Sequence, residues 1–414
     1  MSTSTDSAQA DALREDMINQ LWTMGAVRSE RIADVFRVVD RRWFTPEAPL
    51  QQAYDPRAAV PIKRDEHGVA ISTVSAPQLQ AGMLEQADIR PGMSVLEIGS
   101  GGVNAAMLSH LAGPDGSVTS VDIDPEVTAR ARELLDRAGF PAVNVITADA
   151  AAGEVGDGPY DRIVVTVSAW DIPSAWMDQL APRGRLVVPL RMRGLTRSLA
   201  LDRQDDHLVS RSAEVCGFVT MQGQGATTEQ LVSLRGSTVV VRFDDGWPDD
   251  QPPELDELVT TPRVELWSGV TLPGSESFDT LSFWLATRFA GFGRLAAEPD
   301  QKDTLASAEV LWFDPAVVTH DSVAYLTARR ASPGVSEFGV YAFGPHADTL
   351  AEQMAEQIRV WDRERRHGPG PDIAVWPRET SDERLPPADL VITKRHSRIT
   401  ISWPAAEGAA SQAE

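Results

Sequence analysis

From Ser94 onward the chain alternates short apolar runs with longer stretches of mixed polarity. The runs SVLEIG, SVTSVDID, VNVITAD, YDRIVVTVS and GRLVVPL are rich in β-branched residues, as strands buried on both faces require. Between them NAAMLSHLAG, PEVTARARELLDRAGF and PSAWMDQLAPRG carry apolar residues at helical spacing. This alternation predicts a parallel sheet covered by helices on both faces. The segment SLALDRQDDHLVSRSAEVCGFVT predicts an antiparallel pair at the sheet edge, closing a first domain over residues 1–225. Upstream, residues 11–40 predict a helical hairpin broken at Met24-Gly25, and a further helix is expected to begin at Pro77.

Beyond residue 225 the pattern changes. Proline-rich links such as DDGWPDDQPPELDE and HGPGPDIAVWPRET separate short extended pieces, and ADTLAEQMAEQIRVWDRERR predicts one long helix. Seven of the eleven tryptophans fall here, which asks whether this part has a binding role beyond a core of its own. A second, α+β domain is expected over 226–405, with 406–414 a disordered tail.

Composition narrows the classes. A chain of 414 residues is long for a single core and suits two domains. The polar start MSTSTDSAQADALRED is unlike a signal peptide, and no apolar run approaches the roughly 20 residues that span a bilayer. A lone cysteine, Cys216, allows no internal disulfide and suits a reducing compartment, so the expected location is the cytoplasm, with no membrane partner. The net charge of −22 repels phosphate backbones, so no nucleic-acid partner is expected. Histidine and cysteine are sparse and show no ligand spacing, so no metal is expected, and a monomer is the default.

Candidate chemistry begins at EIGSGG, at the carboxyl end of a predicted strand, where open α/β sheets bind ligands. Gly99 and Gly101 allow the backbone to turn and to approach a ligand closely. A dinucleotide turn would read G-x-G-x-x-G, and Asn104 stands at the last position, which favours a ligand without a pyrophosphate. Glu97 suits an ammonium group. Asp122, 23 residues after Gly99, suits a pair of ribose hydroxyls, and Asp149 suits an adenine amino group. Ser100 and Gly101 would add backbone contacts, and Ala150 an amide to the adenine. Any one of these acids alone would serve equally as a loop or helix cap. Together they describe a nucleoside carrying an amino acid, S-adenosyl-L-methionine.

Residues from about 15 to 224 resemble the protein-L-isoaspartate O-methyltransferase family, in the pieces VVDRRWF, ISTVSAPQLQA, VLEIGSGG, SVDID, ITAD, PYDRIVV and LAPRGRLVVPL. ISTVSAP is the specific piece, because the glycine turn is shared by class I methyltransferases at large. The resemblance implies a Rossmann-like, doubly wound class I methyltransferase sheet and transfer of a methyl group to a peptide carboxylate. That acceptor is already ionised at neutral pH, so alignment and exclusion of water matter more than a base. It further implies that Ser75 is the active-site serine; no local histidine partner makes it a nucleophile, and an N-cap before Pro77 is its competing reading. The methyl ester leaves more readily than the free acid, so the next backbone nitrogen can close a succinimide.

Several positions depart from the family. TVSAWDIP replaces an Ala-rich loop, putting Thr166, Ser168 and Trp170 at the mouth where the acceptor is expected. Gln78 and Gln80 stand where histidines are common, Gln80 being assigned to the donor, and Val103 replaces a glycine. With the long extension, these features resemble the homologues of ribosomal peptide biosynthesis, associated with lanthipeptides and graspetides. Those esterify an aspartate in a cyclised, modified precursor peptide and so generate an aspartimide or isoaspartate. The alternatives are a repair methyltransferase for isoaspartyl residues, a non-catalytic protein binding S-adenosylmethionine or a leader peptide, and, weakest, a nicotinamide dehydrogenase. On the favoured reading, the second domain helps recognise the precursor.

Overall fold

A computed structural model describes residues 2–405, except 154, 157, 249–250, 299–300, 302–304 and 306–314. The expected tail at 406–414 lies outside the described residues. Helices α1 (Ser2–Thr23), α2 (Glu30–Val38) and α3 (Leu50–Ala53) lead into the hairpin β1 (Val60–Arg64) and β2 (Ala70–Val74). The alternating region follows as α4 (Pro77–Ala87), β3 (Ser94–Ile98), α5 (Val103–Ala112), β4 (Ser117–Asp122), α6 (Pro125–Ala138), β5 (Asn144–Thr147) and β6 (Tyr160–Val165). Next come α7 (Ser174–Gln179), β7 (Leu180–Met192), β8 (Leu195–Gln204) and β9 (His207–Val215). The extension holds β10 (Gln230–Arg235), β11 (Val239–Phe243), β12 (Val264–Pro273), α8 (Asp279–Arg288), β13 (Phe292–Ala297), β14 (Pro315–Val318), β15 (Val323–Ser332) and β16 (Val335–Phe343). It ends with α9 (Ala347–Glu364), β17 (Asp372–Pro377), β18 (Leu390–Thr393) and β19 (Ser397–Ser402).

Among the described residues the large sheet runs β18-β19-β17-β9-β8-β7-β6-β3-β4-β5. Strands β7, β6, β3, β4 and β5 are parallel, as the βα alternation demands, and the remainder are antiparallel. Successive side chains enter opposite cores. Val95, Val164 and Val187 face the layer of α1, α2, α4, α5 and α6, whereas Leu96, Ile163 and Val188 face α7 and the extension. This is the doubly wound, Rossmann-like arrangement, with both faces of the parallel part covered.

Two sequence expectations change. The segment PSAWMDQLAPRG is helical only to Gln179, and its second half opens β7, where Pro182 bars helical continuation. More consequentially, 226–405 does not keep a sheet entirely to itself. A second sheet, β10-β11-β13-β14-β15-β16-β12, belongs to the extension, yet β17, β18 and β19 return to the large one. Ala374 and Val375 of β17 pair with Val209 and Leu208 of β9. An uncovered β9 edge would leave a row of unpaired backbone groups, and the returning strands cover it. One apolar core also runs from Ile98 and Val165 through Trp284 and Trp361 to Ile373 and Ile399.

Candidate active site

The turn after β3 is shaped by two left-handed glycines, Gly99 at φ +98° and Gly102 at φ +84°. A Cβ at Gly99 would lie 2.6 Å from Thr166 Oγ1, so here the glycine also allows two loops to meet. Thr166 closes that junction: its hydroxyl donates to Gly99 O at 2.8 Å and its N–H to Ile98 O at 2.7 Å. Asp122, ending β4, ties the turn to the next strand. Its Oδ2 accepts the Ser100 N–H at 3.0 Å and its Oδ1 the Asp124 N–H at 2.9 Å, while burial holds its carboxyl above the usual range.

Beyond these strand ends lies a cleft of about 690 Å³, lined by Gly99, Ser100, Asp122, Asp149, Ala150 and Thr166 among others. Its outer wall is the strap 219–224, whose Val219, Thr220, Met221 and Gln222 face the cleft. Asp149 reaches the cleft with both oxygens already engaged, Oδ1 by the Ala151 N–H and Oδ2 by the Gln224 N–H at 2.8 Å. A carboxylate oxygen retains a further lone pair, so these bonds orient Asp149 without exhausting it.

A second cavity of about 320 Å³ shares Thr73, Gly101 and Thr166 with the first and adds Ser75, Gln80, Glu97 and Asn104. Glu97 is fully buried. Its Oε2 accepts from Ser120 Oγ at 2.5 Å, and because that hydroxyl has one proton, Ser100 is the donor in the 2.9 Å Ser100–Ser120 contact. Burial pushes the Glu97 carboxyl up to about 7, opposed by the Ser120 hydroxyl and the nearby Asn104 amide. Its Oε1 and Asn104 Nδ2 have no hydrogen-bond partner of good geometry. A buried carboxylate with an unused oxygen, in a cavity open to the cleft, fits a ligand that brings its own cation.

Arg41 completes this site, and motif reading did not single it out. Its guanidinium, fully buried, donates to Gln80 Oε1 at 2.6 Å and to Val74 O at 3.3 Å. Burial lowers it to about 9, and it makes no ion pair among the described residues. It therefore fixes Gln80 and the residue before Ser75. The sequence signal was its place in VVDRRWF.

Residues 12–226 match the family described as protein-L-isoaspartate (D-aspartate) O-methyltransferase. The chain belongs to that family. It is accordingly a protein carboxyl O-methyltransferase whose methyl donor is S-adenosylmethionine. The protein-L-isoaspartate O-methyltransferase of Methanopyrus kandleri is 36% identical over 214 residues, 51% of this chain and 92% of that protein. That of Methanothrix thermoacetophila is 42% identical over 163 residues, 39% and 74% of the two chains. A solved protein-L-isoaspartate O-methyltransferase structure aligns over 94% of this chain and 100% of its own, at 19% identity and a TM-score of 0.49.

In this methyltransferase the expected site residues divide between two places. Gly99, Ser100, Asp122, Asp149 and Ala150 meet at the cleft, while Glu97 and Gln80 lie in the smaller cavity with Ser75. Gly101 and Thr166 line both. Ser168 and Trp170 line neither: Ser168 is buried against the strap, and Trp170 turns to the extension, donating from Nε1 to Asp245 Oδ1 at 3.0 Å. The helix-cap reading of Ser75 is not realised, because Ala76 holds the cap position of α4 without a side-chain bond. The Ser75 hydroxyl, uncommitted by capping, is thus available to a ligand. Ser75→Ala is expected to lower kcat about tenfold, the worth of one hydrogen bond to a charged group, with the S-adenosylhomocysteine Kd within twofold. Steady-state kinetics and calorimetry check the split.

Proposed function

We propose that this methyltransferase esterifies the free carboxylate of an isoaspartyl residue in a peptide or protein. What carries the reading is the uncapped Ser75 hydroxyl in a cavity that opens, past Gly101 and Thr166, into the cleft of Asp122. Relatives matched over most of their length bear the same activity in their names.

In this reading Asp122 holds the ribose hydroxyls, Glu97 the ammonium group, and Asp149 with the Ala150 amide the adenine. The backbone of Ser100 and Gly101 lies against the amino-acid part. When bound, S-adenosylmethionine supplies a methyl group made electrophilic by its sulfonium. Ser75 donates to one acceptor oxygen and turns the other toward the cleft, while Gln80, held by Arg41, limits the rotation of the acceptor. No base is required, since the acceptor is ionised at neutral pH. The strap and the β1–β2 hairpin keep water from the junction.

A second reading has the acceptor as an aspartate in a cyclised ribosomal peptide, giving an aspartimide or isoaspartate. What supports it is the extension itself, for which a relative matched over 92% of its own length but only 51% of this chain has no room, whereas Trp170, docked on that extension, gives it no support. Giving the purified full chain an isoaspartyl peptide and a matched aspartyl macrocycle, with products read by mass spectrometry, separates the two. A tenfold or greater preference in kcat/KM for the isoaspartyl peptide supports the first reading, and the opposite preference replaces it with the second. Donor binding with no product from either would overturn both acceptor readings.

A further inference from the structure

We propose that the β18–β19 turn, Lys394–Ser397, is a positioning element that holds the outer wall of the donor cleft, so that the extension sets donor affinity. The inference rests on the donor reading of the cleft given above.

The wall is the strap 219–224, and on the catalytic side it has few anchors. Ser168 receives it through two backbone bonds, its N–H to Val219 O at 2.8 Å and its O from the Met221 N–H at 3.0 Å. At the far end Gln224 donates its N–H to Asp149 Oδ2, and the Gln222 side chain reaches Ile71 O at 3.4 Å. The loop behind it is held by β7, through the Ala169 N–H to Pro189 O and the Arg191 N–H to Ala169 O, each at 2.9 Å, and by Asp245, and the turn adds contacts to both the loop and the strap.

Lys394 is the centre of that contact, its side chain fully enclosed. The ammonium donates to Trp170 O at 2.5 Å and to Arg191 O, and pairs with Asp245 Oδ1 at 3.1 Å. Three donors thus meet three acceptors from three separate segments. Asp245 in turn accepts from Trp170 Nε1, and from the Arg193 N–H at 2.7 Å. Beside it, Asp171 accepts the His396 N–H at 2.6 Å and the Ser397 hydroxyl at 2.5 Å. Arg395 reaches across to Gln224 O at 2.8 Å. The turn therefore grips the loop at Trp170 and Asp171 and the strap at Gln224, on either side of the residues that face the cleft.

Trp170 and Asp171 do not line the cleft; they transmit the position of the turn to Ser168 and so to the strap. The long separation in sequence, with Trp170 and Lys394 bonded across 224 positions, explains why motif reading placed Trp170 at the acceptor.

The test uses the full chain and S-adenosylhomocysteine as probe. In an Arg395→Ala, Ser397→Ala double variant, calorimetric Kd should rise about 5- to 10-fold, as loss of one hydrogen bond to the strap and one to the loop behind it predicts. The peptide KM, measured at saturating donor, should stay within twofold. Lys394→Met should have the larger effect and Lys394→Arg should recover part of it, the cation being kept. Since Lys394→Met strands Asp245 in a buried site and can cost the fold, the double variant, made at exposed or hydroxyl positions, decides the matter alone if need be. A cooperatively melting variant with Kd within twofold of the unmodified chain overturns the proposal. Equal rises in Kd and peptide KM would overturn it too, leaving the turn a general structural support. An unmodified chain that does not bind S-adenosylhomocysteine would bring down the donor reading itself, and the clamp with it.

Discussion

An Asp122→Ala variant is expected to bind S-adenosylhomocysteine about 30- to 100-fold more weakly than the unmodified chain, while still melting cooperatively. Two losses combine. The ribose hydroxyls lose their acceptor, a cost of about 1 to 3 kcal/mol for polar groups buried without partners. The Ser100 and Asp124 N–H groups lose theirs as well, which loosens the turn that the donor lies against. Asp122→Asn separates the two, because its amide oxygen can still accept one N–H while its nitrogen repels the other. It should fall between the unmodified chain and the alanine variant. Calorimetric affinity within threefold of the unmodified chain for folded Asp122→Ala would mean that the donor does not sit beside β4.

Glu97→Gln should weaken donor binding on the order of 100-fold at pH 8, the scale of breaking a buried ion pair. It should also abolish a pH dependence. With the carboxyl pushed up to about 7, the unmodified chain holds it protonated below that pH and must ionise it to meet an ammonium group. Donor affinity should therefore rise as pH increases through about 7 and then level off, whereas the glutamine variant should stay flat. Stability of the donor-free protein runs the other way. The native state keeps this proton above the unfolded pKa of about 4.5, so stability falls as pH rises from 4.5 through about 7 and is level above. Donor-free Glu97→Gln should consequently melt higher than the unmodified chain at pH 8, by calorimetry. A parallel pH profile in the two proteins would remove Glu97 from the donor site.

Glu97 also shows how far motif reading reached. Its place at the end of β3 marked it as a candidate, yet the periodicity of the strand decides which side it serves. Side chains two apart share a face, so Glu97 follows Val95 toward α4 and α5, and hence toward Ser75 and Gln80 rather than the cleft. Position alone places Gln80 at the donor. In the structure Arg41, 39 residues earlier, holds its oxygen and keeps it in the smaller cavity. Arg41 lies within VVDRRWF, where nothing local distinguishes a buried arginine from a solvated one.

The extension makes the same point on a larger scale. Its strands and long helix were readable from their patterns, but not the sheet they would join. Covering the β9 edge and seating Lys394 under Trp170 remove β17–β19 from any self-contained second sheet. Cutting the chain at residue 226 would thus expose a strand edge and remove the bond from Arg395 to the strap together, so the role of the extension has to be tested by substitution in the full chain.

By itself the sequence determined the βα alternation, the glycine turn, the acids at the strand ends and the serine before Pro77. Each depends on residues a few positions apart, where backbone periods and turn chemistry act directly. The tertiary structure alone decided which acid meets which cavity, that Trp170 docks on the extension, and that the last strands rejoin the first sheet. Those outcomes depend on which distant surfaces bury one another and which unpaired backbone and charged groups they satisfy, and no short pattern carries that information.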